Sequence, residues 1–257
     1  MLLAIDIGNS NVVIGLHDEK KWVHTWRLST LLNENPLAYY QEAISNIFLE
    51  ARIHPNTIKK LIISSVVPEL KKPFSILAQQ LFSCPHLLIG PDIYPQLPIL
   101  VPRPNQLGTD LYANALAAYT LYHTDCIIVD FGTALTFTVI NQKGEIKGVN
   151  IAPGLKTAIH ALFLQTAQLP EVPLSFPESA IGNNTTEAIQ NGIMLGYVGL
   201  VKHMIEAIRK ELGAQYQVIA TGGLAYTMTP LHSEFNYMEP DLTLEGLRIC
   251  GQLLNVM

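Results

Sequence analysis

The chain has 257 residues, 49% hydrophobic and 14% charged, a balance that can bury a sizeable core and lies far from disordered composition. Sixteen Lys and Arg against 21 Asp and Glu give a net charge of −5, and no basic run offers nucleic acid a surface. No stretch of about 18 apolar residues is free of charge or turn signals, so a membrane-spanning helix is not expected.

Met1 to Ile7 is apolar but lacks a basic leader and runs straight into Gly8 and Asn9, so it reads as a buried strand and not as a signal peptide. Its core, Leu2 to Asp6, is followed by Gly8, Asn9, Ser10 and Asn11 and then by the apolar run Val12 to Leu16, which is strand, polar turn, strand. Trp22 to Leu28 suits a third strand. Pro36 opens a helix to about Arg52, with Leu37, Tyr40, Ile44 and Phe48 on one side. Leu61 to Val67 reads as a buried strand closed by Pro68, with a helix from about Pro73 to Phe82 and a strand His86 to Ile89. A Pro-rich connection from Pro91 to Pro104 leads into a helix over about Leu107 to Tyr122.

There the opening pattern returns. Ile127-Ile-Val-Asp-Phe-Gly-Thr-Ala134 repeats Leu3-Ala-Ile-Asp-Ile-Gly-Asn-Ser10, which implies two halves of one design. Leu135 to Ile140 and Glu145 to Ile151 are further strands, and Leu155 to Leu164 a helix with Pro153 near its start. Asn184, with Glu187 three residues on, resembles a capping box for a long helix that Gly213 would end. Gly192, Gly196 and Gly199 within it suggest close packing of another element or of a ligand. Tyr216 to Ala220 is a strand ending in Thr221-Gly-Gly223, and an amphipathic helix from about Asp241 carries Leu242, Leu244, Leu247, Leu253 and Leu254.

A glycine turn between strands lets main-chain N–H groups approach a phosphate, because no side chain blocks the way. Gly8 and Gly132 supply two such turns. Asp6 and Asp130, at the strand ends before them, can hold Mg²⁺ or a bound water. Val218 to Gly223 could receive an adenosine. Read singly, each is an ordinary hairpin turn; their repeated order favours the phosphate reading.

Asp6-Ile-Gly-Asn-Ser-Asn11, Gly108-Thr-Asp110, Asp130-Phe-Gly-Thr-Ala134, Gly148-Val-Asn-Ile-Ala-Pro-Gly154 and Asn184-Thr185 with Ala188-Ile189 and Gly192 resemble, in order and over nearly the whole chain, the motifs of the type III pantothenate kinases. The resemblance implies an α/β fold of duplicated actin-like ATPase (ribonuclease H-like) halves with a nucleotide cleft between them. The halves would be residues 1–120, with the phosphate loop, and 121–257, whose last helix would pack back on the first half. It also implies phosphorylation of pantothenate by ATP. Asp6, Ile7, Gly8, Asn9, Ser10, Asn11, Val12 and Val13 would form the phosphate loop, with Asp6 organising Mg²⁺. Thr133 would touch ATP, and Asp130 would bind a monovalent cation, K⁺ or NH₄⁺. Gly108, Thr109, Asp110, Leu111 and Thr185 would contact pantothenate, with Asp110 accepting the proton of its primary hydroxyl. From the residues alone, Asp110 also reads as a carboxylate stabilised at a helix N-terminus, and Thr185 as part of a cap. Family members are cytoplasmic homodimers.

In two places the chain departs from the family. Leu111 stands where an Arg is usual, which removes a bidentate donor that Arg103 could replace, and Val101 stands where a Tyr is common. Other kinases or phosphohydrolases of the same fold, and a regulatory protein without turnover, are the competing expectations. Gly148 to Thr157 fails the Walker pattern and no His-Glu-x-x-His occurs. Cys84, Cys126 and Cys250 are too scattered for a disulfide framework or a CxxC metal site, which fits a reducing cytoplasm.

Overall fold

In the computed structural model, which describes residues 1–213 and 215–254, the chain forms two compact units. One is Met1–Thr120 together with the C-terminal segment from Leu242, and the other is Leu121–Asp241.

In the first unit, β1 (Leu2–Ile7), β2 (Asn11–His17) and β3 (Trp22–Ser29) run antiparallel. After α1 (Pro36–Glu50), β4 (Lys60–Ser65) joins β1 in parallel, and after α2 (Pro68–Leu81), β5 (His86–Leu88) extends the sheet to the order β3-β2-β1-β4-β5. Alternation along the strands sends Leu3, Ile5, Ile7, Val12, Ile14, Leu61 and Ile63 into one core with Tyr40, Ile44 and Phe48 of α1 and Leu70, Phe74 and Leu77 of α2. Helices α3 (Thr109–Tyr122) and α6 (Leu242–Leu253) complete the unit. Leu244 of α6 lies over Gly15, and Gly251 over Ile62 and Leu2; at Gly246 a Cβ would overlap the Ala113 main chain of α3.

Two expectations change here. Helix α2 begins at Pro68, which fills its first turn, and Pro73 lies inside it. A proline at N1 gives up an N–H that has no intrahelical partner, so Pro68 starts the helix more naturally than it ends the strand. The apolar face of α6 also stops short of Leu253, which is 49% exposed.

The second unit repeats the plan. β6 (Cys126–Phe131), β7 (Ala134–Ile140) and β8 (Ile146–Pro153) are antiparallel, then α4 (Leu155–Gln165) and α5 (Thr185–Leu212) precede β9 (Gln217–Thr221), which pairs parallel to β6, and β10 (Tyr237–Met238). The order is β10-β9-β6-β7-β8, the first sheet's topology read from its other edge. Ile127, Val129, Phe131, Leu135, Phe137 and Val139 pack on Met194, Tyr197, Val201 and Ile205 of α5. Among the described residues, no helix is long and apolar enough to cross a membrane.

Candidate active site

In the first unit the β1–β2 turn is closed by Gly8 N–H donating to Asn11 O at 2.9 Å. Thr30 braces it, donating from its N–H to Ser10 O at 3.0 Å and from its hydroxyl to Gly8 O at 2.7 Å. Asn9 and Ser10 are exposed at the tip; Asp6, Gly8, Asn11 and Val13 are half-buried; Ile7 and Val12 are core. A phosphate arriving here would therefore meet Ile7 and Val12 only through their main chain.

Asp6 stands opposite Ser64 in the parallel register of β1 and β4. The Ser64 hydroxyl donates to Asp6 Oδ1 at 2.8 Å and lies 2.8 Å from Thr109 Oγ1. Because Ser64 has one proton and gives it to Asp6, the Thr109 hydroxyl is the donor of the second bond. Ser64 is fully buried and Thr109 nearly so. Ser64 belongs to no motif noticed in the sequence.

Asp110 follows Thr109 in the first turn of α3, and its Oδ1 accepts the Leu111 N–H at 2.8 Å. A Cβ on Gly108 would collide with that oxygen. Burial raises the Asp110 carboxyl above the usual carboxylate range, against the opposing pull of the Leu111 N–H and its own N–H. Nearby, Tyr94 stacks parallel on Tyr112 with ring centroids 3.8 Å apart. Burial first, and the charge of Asp110 second, push the Tyr94 hydroxyl up. Leu111 is buried, Val101 is half-buried and Arg103 is exposed.

In the second unit the β6–β7 turn is closed by Gly132 N–H donating to Ala134 O at 3.1 Å, with Gly132 and Thr133 exposed at its tip. The Thr133 carbonyl accepts the Gly154 N–H at 3.0 Å and the Thr157 hydroxyl at 2.6 Å, which ties the turn to the start of α4. Asp130 is half-buried and pairs in register with Thr136 and Thr221. Gly222 follows with φ 89°, and a Cβ there would strike Asp130 Oδ1 and the Phe131 main chain.

Thr185 is the exposed first residue of α5. The cap before it is a variant of the expected box: Asn184 Oδ1 accepts the Glu187 N–H at 3.0 Å, but Glu187 reaches back to the Asn183 N–H at 2.8 Å. The Asn183 bond above all holds the Glu187 carboxyl below its ordinary range. Gly192, Gly196 and Gly199 do not meet another element: a Cβ at any of them would touch nothing within 4 Å.

Among the described residues no three His, Cys, Asp or Glu gather into a metal site. Asp6 and Asp130 are single carboxylates beside glycine turns. Such a donor suits Mg²⁺ that keeps several waters and takes its other ligands from phosphates, and it suits a loosely held monovalent cation; neither needs an all-protein cage.

The sequence profile of the type III pantothenate kinase family matches residues 2–207. The type III pantothenate kinase of Geobacter sp. (strain M21) is 42% identical over 98% of this chain and 99% of its own length. Among solved structures, a putative 2-dehydro-3-deoxygalactonokinase from Sinorhizobium meliloti is similar with TM-score 0.60 at 9% identity, covering 99% of both chains. MreB 5 of Spiroplasma citri, bound to AMPPNP, is similar with TM-score 0.56 at 10% identity, over 99% of this chain and 96% of that one. The structural neighbours fix the fold as that of actin-like ATPases and sugar kinases, and the sequence relatives fix the family: the chain belongs to the type III pantothenate kinases.

Proposed function

We propose that the chain transfers the γ-phosphoryl group of ATP to the primary hydroxyl of pantothenate, giving 4′-phosphopantothenate and ADP, the first step of coenzyme A synthesis. The carrying observation is the 42% identity to a type III pantothenate kinase over 98% of the chain.

Asp110 is the base. Its desolvated carboxylate takes the hydroxyl proton as the alcohol oxygen bonds to the γ-phosphorus and the bond to the bridging oxygen of ADP breaks. Phosphoryl transfer passes through a loose transition state and asks such a base mainly to orient the acceptor. The main chain from Gly8 to Asn11 cradles phosphate oxygens, and Thr133 adds a contact to ATP from its own turn. Asp6 would hold Mg²⁺, which when bound would neutralise charge on the phosphates, and Asp130 would hold K⁺ or NH₄⁺. Gly108, Thr109 and Thr185 contact pantothenate, and Arg103 supplies the positive charge that Leu111 does not. The protein acts in the cytoplasm as a homodimer.

The test is ADP release by purified protein with pantothenate, with sugars and without acceptor. Stimulation by pantothenate alone supports the assignment. Stimulation by a sugar, or no turnover at all, overturns it.

A further inference from the structure

The last two residues of β4 are both serines after the apolar run Leu61–Ile63, and they do different things. The Ser65 hydroxyl is used locally, donating to Val67 O at 2.9 Å and accepting the Val67 N–H at 3.2 Å. Ser64 makes no local bond of that kind. It joins Asp6, 58 positions earlier, to Thr109, 45 positions later, through two contacts of 2.8 Å. A fully buried hydroxyl costs stability unless it is satisfied, and at this place a small apolar side chain would fill the sheet face without that requirement.

The chain of donors has a fixed sense, Thr109 to Ser64 to Asp6. It begins on the residue before Asp110 and ends on the carboxylate of the phosphate-side turn. The Thr109–Ser64 bond is shielded from water and the Ser64–Asp6 bond partly so, which strengthens both and makes them directional. No covalent connection shorter than about a hundred residues otherwise links these two points.

We infer that Ser64 is a positioning residue: it pins the Asp6 turn to the N-terminus of α3 and thereby sets the separation between the phosphate-side carboxylate and the acceptor-side base. The inference rests on the roles given above to Asp6 and Asp110. In-line transfer is sensitive to that separation, since a misplacement of about 1 Å can cost on the order of a hundredfold in rate. Ser64 touches neither substrate in this scheme and acts only through its two neighbours.

The experiment compares Ser64→Ala, Thr109→Val, Thr109→Ser and the double variant Ser64→Ala/Thr109→Val. Steady-state kinetics are combined with amide hydrogen exchange on the ligand-free proteins. Ser64→Ala is expected to lower kcat about tenfold, with KM for ATP and pantothenate within about twofold of the parent. Thr109→Val should lower kcat to the same extent, with any rise in KM for pantothenate reporting its separate contact to that substrate; Thr109→Ser should recover most of the kcat loss, and the double variant should have a kcat no lower than either single, because all three changes cut one connection. Faster exchange at the Asp110 and Leu111 amides should accompany the loss.

A Ser64→Ala enzyme with kcat within twofold of the parent overturns the inference. So does strict additivity in the double variant, or unchanged exchange at the start of α3. The reading of Asp110 fails by a different result, full turnover in Asp110→Asn, so the two assignments can fall separately.

Discussion

The two units share a strand order and a main-chain turn, yet the parallel neighbour of the acid before that turn differs between them. In the first, the parallel neighbour of Asp6 is Ser64, whose hydroxyl donates to the carboxylate and leads on to α3. In the second, the parallel neighbour of Asp130 is Thr221, and the chain then passes through Gly222, whose lack of a side chain lets it pack against Asp130 Oδ1 and the Phe131 main chain. The first turn is wired by side chains to a helix that bears a second acid. The second is tied to α4 through the Thr133 carbonyl, which accepts the Gly154 N–H and the Thr157 hydroxyl. The scaffold is the same in both units, and the residues at equivalent register positions differ: a serine that links the acid to α3 in one, a threonine followed by a glycine in the other.

The sharpest way to break this contrast is at Asp110, which has no counterpart noted in the second unit. Asp110→Asn keeps the shape, removes the proposed base, and is expected to lower kcat by on the order of a hundredfold or more, measured as ADP release with saturating pantothenate. Burial raises the pKa of this carboxyl in the folded state. Its ionised form is therefore costly there, and the folded state is penalised as pH rises above the unfolded carboxylate range. The same variant should accordingly melt higher than the parent at pH 8, and a lower midpoint would contradict a desolvated base. In the parent, kcat should fall on acidification, beginning at a higher pH than an ordinary aspartate would give.

Gly222→Ala attacks the other arrangement. An L side chain at φ 89° is strained, and its Cβ would lie 2.7 Å from Phe131 main-chain atoms. A loss of roughly 3 kcal/mol is expected, which for a chain of this length is a fall of about 6–12 °C in Tm by calorimetry. Both tryptophans, Trp22 and Trp26, lie in β3 of the first unit, so their emission at low temperature should not change. A spectral shift there would show that the damage is not confined to the second unit. Smaller still is Arg103→Ala: if this exposed cation stands in for the absent arginine at Leu111, KM for pantothenate should rise several-fold, by about 1 kcal/mol of binding, with KM for ATP unmoved.

Much of this was readable from local sequence. The glycine turns after Asp6 and Asp130, the Asn184 cap and the left-handed Gly213 that ends α5 follow from rules that act over a few residues. What escaped depends on register or on competition between equivalent signals. Ser64 looks like the frayed end of an apolar strand, and only the parallel pairing of β1 with β4 brings it to Asp6. Pro68 and Pro73 both fit a helix start, and the outcome turns on which of them can lose its N–H most cheaply. The glycines of α5 suggest close packing of another element or of a ligand; the face they share opens outward and meets no element of this chain, and no periodicity distinguishes a face that meets the same chain from one that does not.

The ion pairs carry the same contrast to a smaller effect. In the second unit Lys147–Glu145 and Lys202–Glu234 each join an exposed lysine to a half-buried glutamate at 3.7 and 3.4 Å and contribute little. In the first, Glu245 of α6 accepts a bidentate bond from Arg248, with Nε at 2.9 Å, and the Trp22 indole N–H at 3.3 Å, next to the buried His17. Burial alone would raise the Glu245 carboxyl, but the Arg248 bond and charge, with Trp22, leave it below its ordinary 4.5. Burial first, then Arg248, lowers His17 from 6.5. For both groups the unfolded chain binds the proton more readily, so their stabilisation is lost as pH falls, from below 6.5 for His17 and from below 4.5 for Glu245. Acid should therefore loosen the first unit first, with tryptophan emission moving red before far-UV ellipticity declines. Glu245→Gln should weaken the unit by about 1 kcal/mol at pH 7 and flatten its response below pH 4.5. Coincident acid transitions by the two probes, unaltered in the variant, would mean that α6 is held by its apolar face against β1 and β4 and that this cluster contributes nothing to the order of unfolding.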